Sequence, residues 1–205
     1  MRTLAIDCAT EACSVALLDG AELVDGRFAM LGRGHAEQLV PMIAALPDKG
    51  RALRIAVSTG PGSFTGLRVG LAAARALALV WNAELVGYPT LALVAAMARH
   101  AAGAQPLAVA MTGGHGEWFT AAYDGDGAQS RPLASQRPAE AAAAAAEVLV
   151  AGSQAEALVG LRGHGTAMPL WPDARCFPLL DEALMADASP VYGRPPDAKL
   201  PGTRA

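Results

Sequence analysis

The chain is predicted to be an α/β protein of two related halves, the second abbreviated. Three observations carry this. A meander of three strand-like runs opens the sequence; helical and buried strand-type runs then alternate; and the same order restarts near Gln105 in shorter form. With 205 residues, of which 53% are hydrophobic, the chain can bury a substantial core. The expected units are residues 1–103 and residues 104–205, the latter ending in an extended tail.

In the first half, "RTLAIDC" and "CSVALLDG" predict strands joined by a short turn at "ATEA", and "AELVDGRFA" a third strand after the Asp19-Gly20 turn signal. "GHAEQLVPMIAALP" places Leu39, Ile43 and Leu46 at helical spacing. "LRIAVS" predicts a buried strand, "TGLRVGLAAARALALVW" a long helix, "AELVGY" a strand and "PTLALVAAMARHAA" a helix opening on Pro89 and Thr90. Three antiparallel strands feeding parallel crossovers make a ribonuclease-H-like half.

In the second half, "LAVAMTG" and "EWFTAAYD" predict strands around the "GGHG" turn, "RPLAS" a third, "PAEAAAAAAE" a helix and "VLVAG" a strand. The Pro- and Gly-rich remainder leaves room only for short elements such as "PLLDEALMA". The tail "SPVYGRPPDAKLPGTRA" is too rich in proline for a regular helix and is expected to lie extended over the surface.

A net charge of −3 gives no basic footprint for gripping a nucleic-acid backbone unaided. The near-continuous apolar run from Leu67 to Trp81 is shorter than the ~20 residues of a bilayer span and carries Arg68 and Arg75. The opening "MRTLAIDCATEACS" reaches Asp7 too early for a secretion signal, so a soluble, cytoplasmic protein without membrane association is expected. Cys8, Cys13 and Cys176 lack CxxC spacing and read as small buried thiols in a reducing compartment. His35, His100, His115 and His164 are scattered, with Leu39 four residues after His35, so neither a metal site nor a catalytic histidine is expected.

Two stretches invite a nucleotide reading. "STGPGSFTGLRVG", Ser58 to Gly70, runs from a strand into a helix, the setting in which helix N-termini bind anions. It has no lysine, and Thr65 stands where either a P-loop or a dinucleotide fingerprint needs glycine. The alternative is a tight turn with Ser63 or Thr65 capping the helix. In "AIDCATEACSVAL", Asp7 and Thr10 are candidate nucleotide contacts, but Ala9 occupies the position where actin-like and sugar-kinase-like ATPases carry glycine in D-x-G-T. Asp7 as a turn-capping residue is the competing reading.

The long helix places Arg68, Ala72, Arg75 and Leu79 on one stripe, and Gly66, Gly70, Ala74 and Ala78 on a small-residue ridge that would admit a close second helix. That helix could be the Leu39/Ile43/Leu46 helix or one from another chain; an ordinary buried helix fits the spacing equally.

Taken together, "LAIDCATEACSVAL", "GHAEQLVPMI", "STGPGSFTGLRVGLAAARALAL", "YPTLALVA" and "PVYGRPPDAKLP" resemble the bacterial TsaB (YeaZ-like) family, densely from Met1 to about Ala96 and again at the tail. The resemblance implies an actin-like (ASKHA) fold in a non-catalytic subunit without cofactor or metal. Its partners would be a TsaD-like catalytic paralogue, which transfers threonylcarbamoyl to the adenosine next to the anticodon, and a TsaE-like ATPase. tRNA would be met only through the complex, and a homodimer is possible when the protein is alone. It implies a partner interface on the two helices after the meander: His35, Leu39, Met42, Ile43 and Leu46 on the first, and Gly66, Leu67, Gly70, Leu71, Ala74 and Ala78 on the second. A bulky charge at Gly70 or Ala74 would then abolish pairing in a folded monomer. The chain departs from the family's "IDARRGEVY"-like segment at Thr112, Gly114 and His115, while Gly116 and Glu117 match.

The competing expectation is an actin-like nucleotide-dependent enzyme or a metal-dependent peptidase. Ala9, the missing Walker-type lysine and the missing HxxxH count against it.

Overall fold

Two five-stranded sheets with the same strand order organise the chain in the computed structural model, which describes residues 1–193. The first contains β1 (Arg2–Asp7), β2 (Ala12–Asp19), β3 (Glu22–Met30), β4 (Arg54–Gly60) and β5 (Glu84–Pro89), in the order β3-β2-β1-β4-β5. The second contains β6 (Leu107–Thr112), β7 (Trp118–Tyr123), β8 (Gln129–Gln136), β9 (Leu149–Ala151) and β10 (Thr166–Met168), in the order β8-β7-β6-β9-β10. In each sheet the first three strands pair antiparallel and the last two add on parallel. Among the described residues five α-helices join them: α1 (His35–Ala44), α2 (Phe64–Trp81), α3 (Thr90–Ala102), α4 (Pro138–Ala144) and α5 (Ala155–Arg162).

Alternation along the strands decides which layer each face meets. Leu4, Ile6, Val15, Leu17, Ile55 and Val57 point to α1 and α2, where they pack with Leu39, Ile43, Leu71 and Ala74. Each large aliphatic side chain buried this way contributes on the order of 2 kcal/mol. The opposite face carries small residues, Ala5, Ala16 and Ala56, beneath Leu93 of α3 and Ala174 and Phe177. α3 also packs Leu91, Val94 and Ala98 against Leu107, Val109 and Met111 of the second sheet, so it fills the space between the sheets. α4 and α5 cover the far face of the second sheet through Ala141, Ala155 and Leu158.

The second half is abbreviated in element length, not in strand order. α5 has 8 residues where the corresponding α2 has 18, and β9 and β10 have 3 each. In place of a counterpart to α3, the chain forms 3-10 turns at Ala174–Leu179 and Glu182–Leu184, the first of which returns to the first sheet. Both α5 and β10 lie in the stretch whose glycines and prolines predict only short elements. α4 ends at Ala144 although alanines continue to Ala146. The reason is tertiary: Arg131 donates to the Ala144 carbonyl at 2.6 Å and Arg162 to those of Ala145 and Glu147 at 2.9 and 2.8 Å, and Ala145 turns extended and buried.

α2 has the length and mean hydropathy, 1.3, of a membrane span. One of its faces is packed on the first sheet, and the opposite face carries Arg68 and Arg75. Residues 194–205, which include most of the expected extended tail, lie outside the described residues.

Candidate functional site

The two stretches that invite a nucleotide reading pack against each other. The Asp7 carboxylate accepts from the Ala9 amide at 2.9 Å, and Thr10 Oγ1 accepts from the Ala12 amide at 3.1 Å, so both side chains are used in closing the β1–β2 turn. Over this turn lies the Gly60–Ser63 loop. The Ser63 amide donates to the Ala9 carbonyl at 2.6 Å, and Ser63 Oγ caps α2 by accepting from the Gly66 amide at 3.3 Å. A Cβ at Gly62 would stand 2.0 Å from the Ala9 oxygen, and one at Gly66 2.0 Å from the Cys8 oxygen. The loop's glycines therefore bring two backbones together, an approach that any side chain at Gly62 or Gly66 would block.

Asp7 is wholly buried beneath this contact. Tyr88 Oη, also buried, lies 3.0 Å from the Ile6 carbonyl and 3.3 Å from Asp7 Oδ2. Burial pushes the Asp7 carboxyl up to about 7; hydrogen bonds from Ala9, Ser58 and Tyr88 oppose the rise, and the charge of Asp173 adds to it. The Ser58 hydroxyl is 2.7 Å from that of Thr90. Asp7 has no exposed surface among the described residues.

The expected partner-facing residues point inward. His35, Leu39, Ile43 and Leu46 of the α1 region and Gly66, Leu67, Gly70, Leu71, Ala74 and Ala78 of α2 are all buried against the first sheet; of the eleven, Met42 alone is half-buried. Within this chain the glycines of the small-residue ridge face the β1–β2 turn and the sheet: Gly66 faces Cys8, and Gly70 faces Cys8 and Val57. His35 Nε2 lies 3.2 Å from the Ala12 carbonyl, a core hydrogen bond. Spacing identifies a helix's apolar ridge, but here the smallest residues mark the sheet side.

What remains outside is the opposite face. Ala36, Val40 and Ala44 of α1 and Ala72, Ala76, Leu79 and Val80 of α2 are exposed, with Leu79 at 84%, Val80 at 77% and Val40 at 61%. The two arginines on this side are engaged at its flank. Arg68 lies 3.6 Å over the Phe64 ring, and Arg75 donates to the Ala188 carbonyl at 2.8 Å. The stripe Arg68, Ala72, Arg75 and Leu79 is thus the outward one.

In the second half, the positions that depart from the expected pattern form a turn. Thr112 Oγ1 is 3.1 Å from Ser153 Oγ and accepts from Gln154 Nε2 at 2.9 Å, tying the end of β6 to the start of α5. His115 and Gly116 take positive φ, and Glu117 accepts from Ser135 Oγ at 2.6 Å. Among the described residues, no group of three or more His, Cys, Asp and Glu side chains could hold a metal ion.

The start of the tail also contributes, at a place that its motif does not specify. Residues 186–193 cross back over the first half: Ala186 and Gly87 exchange backbone hydrogen bonds, the Val191 amide donates to the Thr59 carbonyl at 2.7 Å, and the Tyr192 ring packs tilted by 40° against Phe64 with ring centroids 5.1 Å apart. Gly193 reaches Pro61 and Phe119, so this strap touches both halves beside the Gly60–Ser63 loop.

Comparison with known proteins adds four likenesses. The family model described as TsaD: tRNA N6-adenosine threonylcarbamoyltransferase matches residues 29–163. The tRNA threonylcarbamoyladenosine biosynthesis protein TsaB of Escherichia coli (strain K12) is 39% identical over 131 residues, 62% of this chain and 56% of that protein, so the match spans about half of that relative's length. A Pseudomonas aeruginosa structure, described as an uncharacterized protein with similarity to peptidase YeaZ, superposes with a TM-score of 0.77 at 30% identity over 94% of this chain and 99% of that one. The ethanolamine utilization protein EutJ from Carboxydothermus hydrogenoformans, at 14% identity and a TM-score of 0.51 over 87% and 88% of the two chains, is alike in fold alone.

Proposed function

Because the chain belongs to the TsaB (YeaZ-like) family and has its actin-like fold of two halves, we propose that it serves tRNA threonylcarbamoyladenosine biosynthesis as a non-catalytic subunit. In this reading it docks a TsaD-like catalytic paralogue through the outer face of α1 and α2. A TsaE-like ATPase joins the pair, and tRNA is met through the assembly.

The observation that carries the reading is the apolar outer face, with Val40, Leu79 and Val80 exposed after both helices have packed on their own sheet. The non-catalytic part is supported by the β1–β2 turn, where Asp7 is buried and the Gly60–Ser63 loop packs backbone to backbone on Ala9. A net charge of −3 agrees with tRNA being held mainly by other subunits.

Reconstitution tests this. The chain, a TsaD-like subunit and a TsaE-like ATPase are mixed with tRNA and the threonylcarbamoyl donor; modification should require the chain, and the chain alone should form none. Modification at full rate without it would refute the role. Calorimetry with ATP and Mg2+ on the isolated chain separates the enzyme reading: tight binding that Asp7→Ala removes would favour a nucleotide-dependent enzyme.

A further inference from the structure

The register of the first hairpin sets Asp7 opposite Ser14, so the next opposed residues are Cys8 and Cys13, on either side of the turn 9–12. Their Sγ atoms lie 3.6 Å apart. Directly opposed residues of antiparallel strands have Cα separations of about 4.5–5.5 Å, within the range of about 4.4–6.8 Å that a disulfide spans. Gly70 of α2 faces Cys8, and an added Cβ there would lie 3.3 Å from Cys8 Cβ and 3.7 Å from its Sγ. Cys176 packs on the other face of the sheet, with Ala5 and Ala56, whereas Cys8 and Cys13 pack on the α1/α2 side.

We propose that Cys8 and Cys13 are a reversible dithiol–disulfide pair, an oxidation site built into the β1–β2 hairpin and open to oxidants of the peroxide class. The contact between the two sulfurs holds the Cys13 thiol below the usual range and, with burial, holds Cys8 above it. Cys13 is therefore the attacking sulfur. Its thiolate attacks a peroxide oxygen, the O–O bond breaks, and the departing hydroxide takes a proton to leave as water, giving a sulfenic acid on Cys13. The Cys8 sulfur then attacks the Cys13 sulfur, the S–O bond breaks, and a second water leaves with the Cys8 proton. Two thiols lose two electrons in all, and one hydrogen peroxide gains them. Both cysteines are buried, so the reaction waits on local opening of the turn beneath α2, and the rate reports that opening.

The test uses the full chain with Cys176→Ser, leaving these two thiols alone. After exposure to hydrogen peroxide, quenching and unfolding, thiol titration should fall from two to none. The mass should drop by about 2 Da, with dithiothreitol restoring both thiols. A second substitution, Cys13→Ser, should abolish the mass loss. Two free thiols after peroxide treatment in mild urea, or gains of about 16 or 32 Da without the loss of 2, would overturn the proposal. If Cys176→Ser does not fold, the natural chain serves with Cys176 alkylated beforehand, and a Cys8–Cys13 linked peptide is the readout.

Discussion

A methyl group at Gly66 would press on the Cys8 carbonyl at 2.0 Å, and the same holds for Gly62 and Ala9. In a solvent-facing helix, Gly→Ala gains up to about 1 kcal/mol. Here Gly66→Ala is expected to cost about 2–3 kcal/mol, because two backbones must separate. That loss should appear as a melting temperature lower by roughly 5–10 °C. Asp7 makes stability depend on pH in a definite direction. Its folded value of about 7 lies above its ordinary 3.8, so over that interval the native state keeps a proton that the unfolded chain has released. The contribution is complete below about pH 3.8 and is lost as pH rises through 7. Asp7→Asn keeps an acceptor for the Ala9 amide without the titration. Its stability relative to the natural chain should grow from pH 4 to 7, by at most about 4 kcal/mol at pH 8, in paired denaturation curves. Equal pH dependence of the two proteins would place Asp7 in contact with water.

For the helices, α1 and α2 each present a buried and an outer face, and the two should respond oppositely to charge. Ala74→Glu puts a carboxylate into the core beside Val57 and Leu71 and is expected to unfold the chain, so loss of pairing by that variant would reveal nothing about partners. Leu79→Glu and Val80→Glu change exposed positions and should leave the circular dichroism spectrum and melting temperature nearly unchanged. The existence and type of the elements through α3 are legible in the sequence, because strand alternation and helical spacing record which side is buried. Which face of α2 meets the sheet is not legible: nearly every position is apolar or small, and the choice rests on how closely the Cys8–Ala9 backbone approaches Gly62 and Gly66. α5 escapes notice for a related reason. Its 8 residues lie between Gly152 and Gly163 in a stretch read as holding only short elements, and they hold as a helix because Ala155 and Leu158 are buried against the second sheet.

Across the whole molecule, the repeated strand order is legible as a repeated sequence of strand and helix signals, whereas the return of residues 171–193 to the first half is not. That return depends on contacts distant in sequence: Trp171 donates to Glu11 at 2.6 Å, the Ala174 amide to Ser14 Oγ at 2.9 Å, and the Val191 amide to Thr59 at 2.7 Å. Truncation after Met185 removes the outer part of this strap. It should lower the melting temperature by several degrees and speed amide exchange at Gly87, whose amide is held by Ala186 at 2.6 Å, while amides in β6 and β7 keep their protection. The central claim concerns the largest scale, that the outer face of α1 and α2 joins the chain to a TsaD-like subunit. It is tested most directly by calorimetric titration of that subunit with the natural chain, with Leu79→Glu/Val80→Glu, and with Val148→Glu as an exposed control in the second half. The expected result is one-to-one binding by the natural chain and the control, weakened at least about a hundredfold in the double variant; undiminished binding by a folded double variant would contradict the account.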